Sequence, residues 1–362
     1  MPNVLDYLDW RGDLSFDASP FCEVDNIIFA MLSFIDYSGS VSPSFIAMPK
    51  KLSECARVYR EKYPNGENIG AIIPQSTNDL FFRAAESVRF RDVYVSAFRD
   101  VIDEAAYVQF AGVTFVLPDN SIFIAFRGTD DTLVGWREDF NLSFTHPVPA
   151  QQMAADYVAE AAGAYRGKIR IGGHSKGGNL SVYSAVSAPR EVRDRIIAVY
   201  SNDGPGFIDE VLAMEGFRDL DGRLIKIAPQ SSVIGMLLGR RERLEVVESG
   251  IRNGLWQHDP FSWEVKGTKF KHLPALSKQG KRHDEAFREW LGAMDNDKRR
   301  AFTEIFFGTL ASTGAKTVSD LSVDQIPKLI TAFRAIGGLD QKSKDIIIEF
   351  LRGLVGAMLD AG

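Results

Sequence analysis

Gly172-Gly173-His174-Ser175-Lys176-Gly177-Gly178 is the stretch of this 362-residue chain whose residue types point most directly to chemistry. A serine hydroxyl is a poor nucleophile at neutral pH. Acyl transfer through it requires exposure, a base alongside, and N–H donors aimed where negative charge develops. A sharp strand-to-helix turn provides the exposure, and glycines two residues before and after the serine clear the space around it. Gly173 and Gly177 occupy those positions. A helix starting after Ser175 adds the positive end of its dipole and the backbone N–H of Lys176, half of an oxyanion-binding pair. The second donor belongs on a loop after an earlier strand, and Phe126-Arg127-Gly128-Thr129-Asp130-Asp131 is such a loop. The same glycines do not make a phosphate loop, because Ser and Lys stand in the wrong order and spacing for one.

The surrounding pattern predicts the elements these residues need. Residues 93–98, 106–110, 113–117 and 122–126 are rich in β-branched and aromatic side chains, with breaks at Gly112 and Pro118-Asp119-Asn120, and read as adjacent antiparallel strands. Strand and helix then alternate: helix 153–165, strand 169–172, helix 177–188, strand 195–201, helix 207–214, strand 223–228. Such alternation implies parallel strands covered on both faces. An apolar run from Ile27 to Ile35 predicts a buried helix capped at Asp25 or Asn26. From His283 onward the pattern is helical, with a capping box at Ser322 to Gln325, an apolar face of Ile326, Leu329, Ile330 and Phe333, a stop at Gly337-Gly338 and a last helix over 346–358. The expected fold class is α/β, with a mixed, mainly parallel central sheet. A domain over 1–275, including an N-terminal helical segment, and a helical C-terminal region over 276–362 are expected.

A chain with 45% hydrophobic and 25% charged residues is globular rather than disordered. Net charge is −6, so nothing draws the whole chain to nucleic acid or anionic lipid. The local basic run Gly239-Arg240-Arg241-Glu242-Arg243 reads as a solvated loop edge. Cys22 and Cys55 are too few for a disulfide framework or a cysteine zinc site. No histidine-carboxylate spacing suggests a metal, and no cofactor is expected. The N-terminal MPNVLDYLDWRGDLSF is acidic where an export signal is basic, and no stretch approaches the ~20 apolar residues of a membrane span. A cytoplasmic protein without an integral membrane span is expected, with no protein partner indicated.

Phe126-Arg127-Gly128-Thr129, followed by Trp136 and then Gly173-His174-Ser175-Lys176-Gly177-Gly178, resembles the lipase class 3 branch of the α/β-hydrolases. That resemblance implies that Thr129, the residue after the arginine-glycine pair, is the first oxyanion donor. A more specific resemblance, over roughly residues 3 to 265, is to the Mbeg1-like bacterial family of uncharacterised lipase-like proteins. It is carried by Leu5-Asp6-Tyr7-Leu8 with Asp13-Leu14-Ser15-Phe16, Glu23-Val24-Asp25-Asn26, the elbow, Asn202-Asp203-Gly204-Pro205-Gly206-Phe207, residues 229–237, and Gln257-His258-Asp259-Pro260. It implies the α/β-hydrolase fold and a catalytic apparatus, and leaves the substrate open.

Five histidines compete for the role of base. His258 follows all the expected core strands, where the order serine, acid, histidine places it, and Trp256 and Trp263 flank it. His174 is expected to point away from Ser175 and pack, His146 to sit in a loop, and His272 and His283 to be solvated. For the acid, Asp203 directly follows the strand ending at Ser201, at the edge of the sheet that carries the elbow. The lipase pattern takes its acid from the loop after the next strand, where this chain has Pro229-Gln230-Ser231-Ser232 and no carboxylate. Asp203 is therefore expected to serve, with Asp209 or a dyad polarised by Ser231 or Ser232 as alternatives. The expected activity is hydrolysis of an ester or related acyl bond, on a small-molecule or lipid substrate, through an acyl-Ser175 intermediate. Phe144 and the apolar stretch 234–238 are candidates for an acyl pocket. An amide or thioester substrate, or a non-catalytic partner-binding relative, are the other readings.

Overall fold

The computed structural model describes residues 1–65, 69, 73–292, 294–317 and 320. Its centre is a nine-stranded sheet. The strands are β1 (Lys50–Lys51), β2 (Tyr94–Asp103), β3 (Val108–Val116), β4 (Ile122–Phe126), β5 (Ile169–His174), β6 (Ile196–Asn202), β7 (Leu224–Pro229) and β8 (Arg243–Val247); after the small hairpin β9 (Val265–Lys266) and β10 (Lys269–Phe270), β11 (His272–Leu273) completes it. Spatial order is β1-β2-β3-β4-β5-β6-β7-β8-β11. Pairing is antiparallel from β1 to β4, parallel from β4 to β8, and antiparallel again at β11. The mixed sheet expected from the change in alternation is thus found, and the parallel strands bring their carboxyl ends to one edge.

Gly112 departs from expectation. It does not end a strand; β3 runs unbroken from Val108 to Val116, with Gly112 opposite Phe126 on β4 and Arg99 on β2. A Cβ there would lie 3.2 Å from the Phe126 ring and 3.3 Å from that of Phe110, so the glycine makes room for aromatic packing instead of turning the chain. Beside it β2 bulges between Ser96 and Arg99, with Ala97 at φ 54°, and continues to Asp103 beyond the expected end.

Helices cover both faces. On one lie α1 (Val4–Arg11), α2 (Glu23–Leu32), α3 (Leu52–Lys62) and α4 (Ser76–Glu86); α6 (Pro149–Ala164) and α7 (Lys176–Ser187) lie on the other, with α5 (Leu133–Asn141) following β4. Every residue of α2 from Val24 to Leu32 is buried, which is why its apolar pattern has no polar face. The helix starts earlier than expected, at Glu23. Asp25 sits inside the first turn, accepting the Cys22 N–H at 2.7 Å, and forms a fully buried ion pair with Arg89 at 2.5 Å. Phe29 of α2 meets Phe115 and Phe123 on the sheet at 4.9 and 5.1 Å. On the opposite face the Tyr157 ring of α6 packs edge-on against Phe126.

The expected helix at 207–214 is a single turn, Asp209–Leu212. The helical C-terminal reading holds for α8 (Lys278–Gly292) and α9 (Asn296–Ala311). Phe302, Phe306 and Phe307 of α9 surround Phe140 of α5 at 5.3 to 6.0 Å. The helices expected around 322–333 and 346–358 lie outside the described residues.

Candidate active site

β5 ends at His174 and α7 begins at Lys176, so Ser175 is the whole turn between them, at φ 58° and ψ −132°. Holding a serine there costs on the order of 1–3 kcal/mol, which the surroundings must impose. They do so by close approach. A Cβ on Gly173 would stand 2.4 Å from the Gly177 backbone, and one on Gly177 only 2.1 Å from the carbonyl oxygen of Phe126. The Ser175 N–H donates to the Asn202 carbonyl at 3.0 Å. Asn202 in turn exchanges side-chain hydrogen bonds with Asn26 of α2, at 2.8 and 3.1 Å, and donates to the Gly173 carbonyl at 3.1 Å. This explains why the Glu23-Val24-Asp25-Asn26 segment, far off in sequence, accompanies the elbow.

Asp203 leaves the carboxyl end of β6 fully buried, at φ 49°, its N–H donating to the Ile227 carbonyl at 2.7 Å. Its Oδ2 lies 2.7 Å from Nδ1 of His258, on the one-turn helix Trp256–His258 after β8, and its Oδ1 accepts the Ser232 hydroxyl at 2.5 Å. A carboxylate can only accept, so His258 carries its proton on Nδ1 and leaves Nε2 available as a base. Lys226, fully buried on β7, donates to the Gly204 carbonyl at 2.5 Å, tying down the turn after Asp203; burial pushes its pKa down. Asp209 is exposed on its one-turn helix, and the carboxylate bonded to His258 is that of Asp203. Ser231 bonds Ser277 at 2.7 Å, so of the two serines only Ser232 reaches the acid, and it supports Asp203 in place of substituting for it.

The structure gives His174 a contact that its neighbour position did not suggest. Its ring packs against that of His258 at 4.4 Å, tilted by 35°, and its Nε2 donates to the His258 carbonyl at 2.8 Å. Burial, and then the adjacent His258, push its pKa down to about 3, so it stays neutral. Trp263 is buried and donates to the Gln257 carbonyl at 2.8 Å, while Trp256 is half-buried. His272 is not simply solvated: it bridges Glu23 and Glu245 on the sheet edge, at 2.9 and 3.2 Å. The basic run is not a free loop edge either, since Arg240 pairs with Asp284 at 3.0 Å and Glu242 is buried.

The Arg127-Gly128-Thr129 loop lies directly against the elbow. A Cβ on Gly128 would be 2.6 Å from the His174 carbonyl oxygen and 3.0 Å from the Ser175 Cβ. Thr129 is buried and its hydroxyl donates to Asp139 of α5; Arg127 pairs with Asp100 on β2. Burial raises the Asp139 carboxyl to about 6, against the pull of Lys176 and the Thr129 hydrogen bond. The Lys176 side chain has no exposure and lies 3.0 Å from Glu138 of α5. Asp139, Glu138 and Gln109 had no place in the site expected from sequence, where Ser232 stood only as an alternative to the acid and His174 only as a packing residue. Among the described residues no group of three or more His, Cys, Asp or Glu is arranged to hold a metal ion, and no helix is long and apolar enough to cross a membrane.

A strand-serine-helix elbow at the carboxyl edge of a mixed sheet, followed in chain order by a carboxylate after the next strand and a histidine after the last parallel one, is the arrangement of an α/β-hydrolase fold. The chain belongs to the Mbeg1-like family, whose model matches residues 84–308. No curated protein matches it in sequence. Among solved structures it is similar to a Rhizomucor miehei lipase in complex with its propeptide, with 13% identity, a TM-score of 0.36, and coverage of 62% of this chain and 67% of that one. It is likewise similar to a mutant form of MDLA from Penicillium cyclopium, with 12% identity, a TM-score of 0.40, and 71% and 87% coverage. For M37 lipase the values are 15%, 0.36, and 75% and 93%.

Proposed function

We propose that this protein is a serine hydrolase, esterase- or lipase-like, that cleaves a carboxylic ester through an acyl-Ser175 intermediate. The observation that carries the reading is the 2.7 Å hydrogen bond between His258 Nδ1 and a buried Asp203, on the same sheet edge as a strained Ser175. His258 Nε2 takes the Ser175 proton as Oγ attacks the acyl carbon, and Asp203 keeps the imidazole in the tautomer that allows it. The backbone N–H groups of Thr129 and Lys176 receive the oxyanion, helped by the positive end of α7. His258 then protonates the departing alcohol, and an activated water releases the acid by the reverse sequence.

In this reading residues 1–275 form the hydrolase unit and 276–362 a helical appendage. The unpaired thiols of Cys22 and Cys55 support a reducing, cytoplasmic setting. A fluorophosphonate probe tests the core of the proposal. Labelling of the folded protein that disappears in Ser175→Ala and falls steeply in His258→Ala is expected; absence of labelling in the wild type would end the enzyme reading. A panel of short and long acyl esters, amides and thioesters then assigns the bond.

A further inference from the structure

The hydrolase reading uses only the backbone N–H of Lys176, yet its side chain is a fully buried ammonium one residue from the nucleophile. Nζ donates to the Gln109 carbonyl at 2.7 Å, to Gln109 Oε1 at 2.6 Å and to Glu138 Oε2 at 3.0 Å. Three donors meet three acceptors, so the ammonium is saturated. Glu138, equally buried, also accepts the backbone N–H groups of Gln109 at 3.1 Å and of Ala150 at 2.8 Å. Replacing such a pair with apolar side chains is often neutral or stabilising, so stability alone is a weak reason for it.

Orientation is a stronger reason. An ammonium has no acceptor, so the Gln109 amide must turn its oxygen toward Lys176 and its nitrogen away. Nε2 then faces the Gly128 carbonyl, to which it donates across 3.4 Å. Gly135 allows the amide to fit, since a Cβ there would come within 3.0 Å of Gln109 Oε1. A peptide unit is planar and trans, so tethering the Gly128 carbonyl on one side directs the Thr129 N–H to the other. That N–H is the first oxyanion donor in the proposed mechanism.

We propose that Lys176 and Gln109 form a positioning relay, in which the lysine after the nucleophile fixes the glutamine amide and the amide fixes the Gly128-Thr129 peptide. Lys176 thereby governs both oxyanion donors, one through its own backbone and one through its side chain. The inference rests on the hydrolase reading.

The test compares labelling rates with a fluorophosphonate and with its thiono analogue, whose sulfur accepts hydrogen bonds poorly. Gln109→Met keeps the volume and leaves Lys176 two of its partners, so the fold should survive, as its thermal midpoint will report. Removing an oxyanion donor outright costs 10²–10³-fold, so misaligning one should slow the oxo reagent by roughly 10- to 100-fold. The thiono reagent should slow much less, so that the oxo-to-thiono ratio collapses. Lys176→Met combined with Glu138→Gln, which removes both buried charges together, should do the same. An equal fall for both reagents, or no fall, in Gln109→Met would overturn the relay while leaving a labelled wild type as a hydrolase. A wild type that does not label at Ser175 would overturn both.

Discussion

Among the described residues two histidines sit at hydrogen-bond distance from carboxylates, and the distances barely separate them. His258 Nδ1 is 2.7 Å from Asp203; His272 Nε2 is 2.9 Å from Glu23, with Glu245 3.2 Å from the other ring nitrogen. Their surroundings differ in kind. Asp203 is fully buried and its second oxygen is held by Ser232, whereas both partners of His272, Glu23 at the start of α2 and Glu245 on β8, are partly exposed. Carboxylates occupy both nitrogens of His272, leaving none free to take a proton from a substrate or a nucleophile. His258 has one nitrogen bound and one spare, beside the elbow, and it is this asymmetry that makes a base.

Removing the charge of the acid should give the largest effect. Asp203→Asn keeps the shape but no longer enforces the Nδ1–H tautomer, and a loss of about 10⁴-fold in kcat is expected from steady-state ester hydrolysis. A loss below about tenfold would place the His258 contact on a par with that of His272. One step further out, Ser232→Ala leaves Asp203 Oδ1 without its hydroxyl donor. Hydrogen bonds to charged groups contribute about 1.5–3 kcal/mol, so kcat should fall by on the order of tenfold or more, with KM little changed. If turnover is untouched, the buried hydroxyl is not what distinguishes the two pairs.

Asp139 provides a pH-dependent contrast. Its folded pKa of about 6 lies above the usual carboxylate value, with burial as the main cause, so the protein is relatively favoured when Asp139 is protonated and loses that stability as pH rises through 6. Asp139→Asn should therefore be more stable than wild type at pH 8, by on the order of 2 kcal/mol. The gain should shrink below pH 6 and vanish near pH 4. Urea unfolding of both proteins across that range checks the sign; a gain that grows toward low pH would refute it.

How much of this was legible in the sequence follows from how local each feature is. The elbow is written in five consecutive residues, and the change from antiparallel to parallel strands in the spacing of apolar runs. Asp203 and His258 were named from their places after strands, which a chain order can suggest. Their supports were less legible, because they depend on register: Ser232, 29 residues from Asp203, was expected only as a substitute for the acid, and Gln109, 67 residues from Lys176, not at all. Gly112 misled for a related reason. A glycine that ends a strand and one that admits a neighbouring aromatic ring look alike until β3 is paired with β4. The Lys176 side chain had no reading at all, since nothing in Gly173 to Gly178 says that Glu138 waits beneath the helix.

The smallest effect belongs to the pair that only resembles the site. Each member of the His272 cluster is partly open to water, with side-chain exposures of 16 to 32%, and such ion pairs contribute about 0–1 kcal/mol. His272→Gln retains a polar side chain on β11 and should lower stability by less than about 1 kcal/mol. That difference should fade as added salt shortens the screening length toward the roughly 3 Å reached at 1 M. Fluorophosphonate labelling of Ser175 should be unchanged, because β11 lies beyond β8, three strands over from β6, which carries Asp203. A slowed labelling rate in this variant would mean that the sheet edge communicates with the elbow. The route would then run through α2, where Glu23 accepts from His272 and Asn26, less than one turn later, holds Asn202 behind the serine.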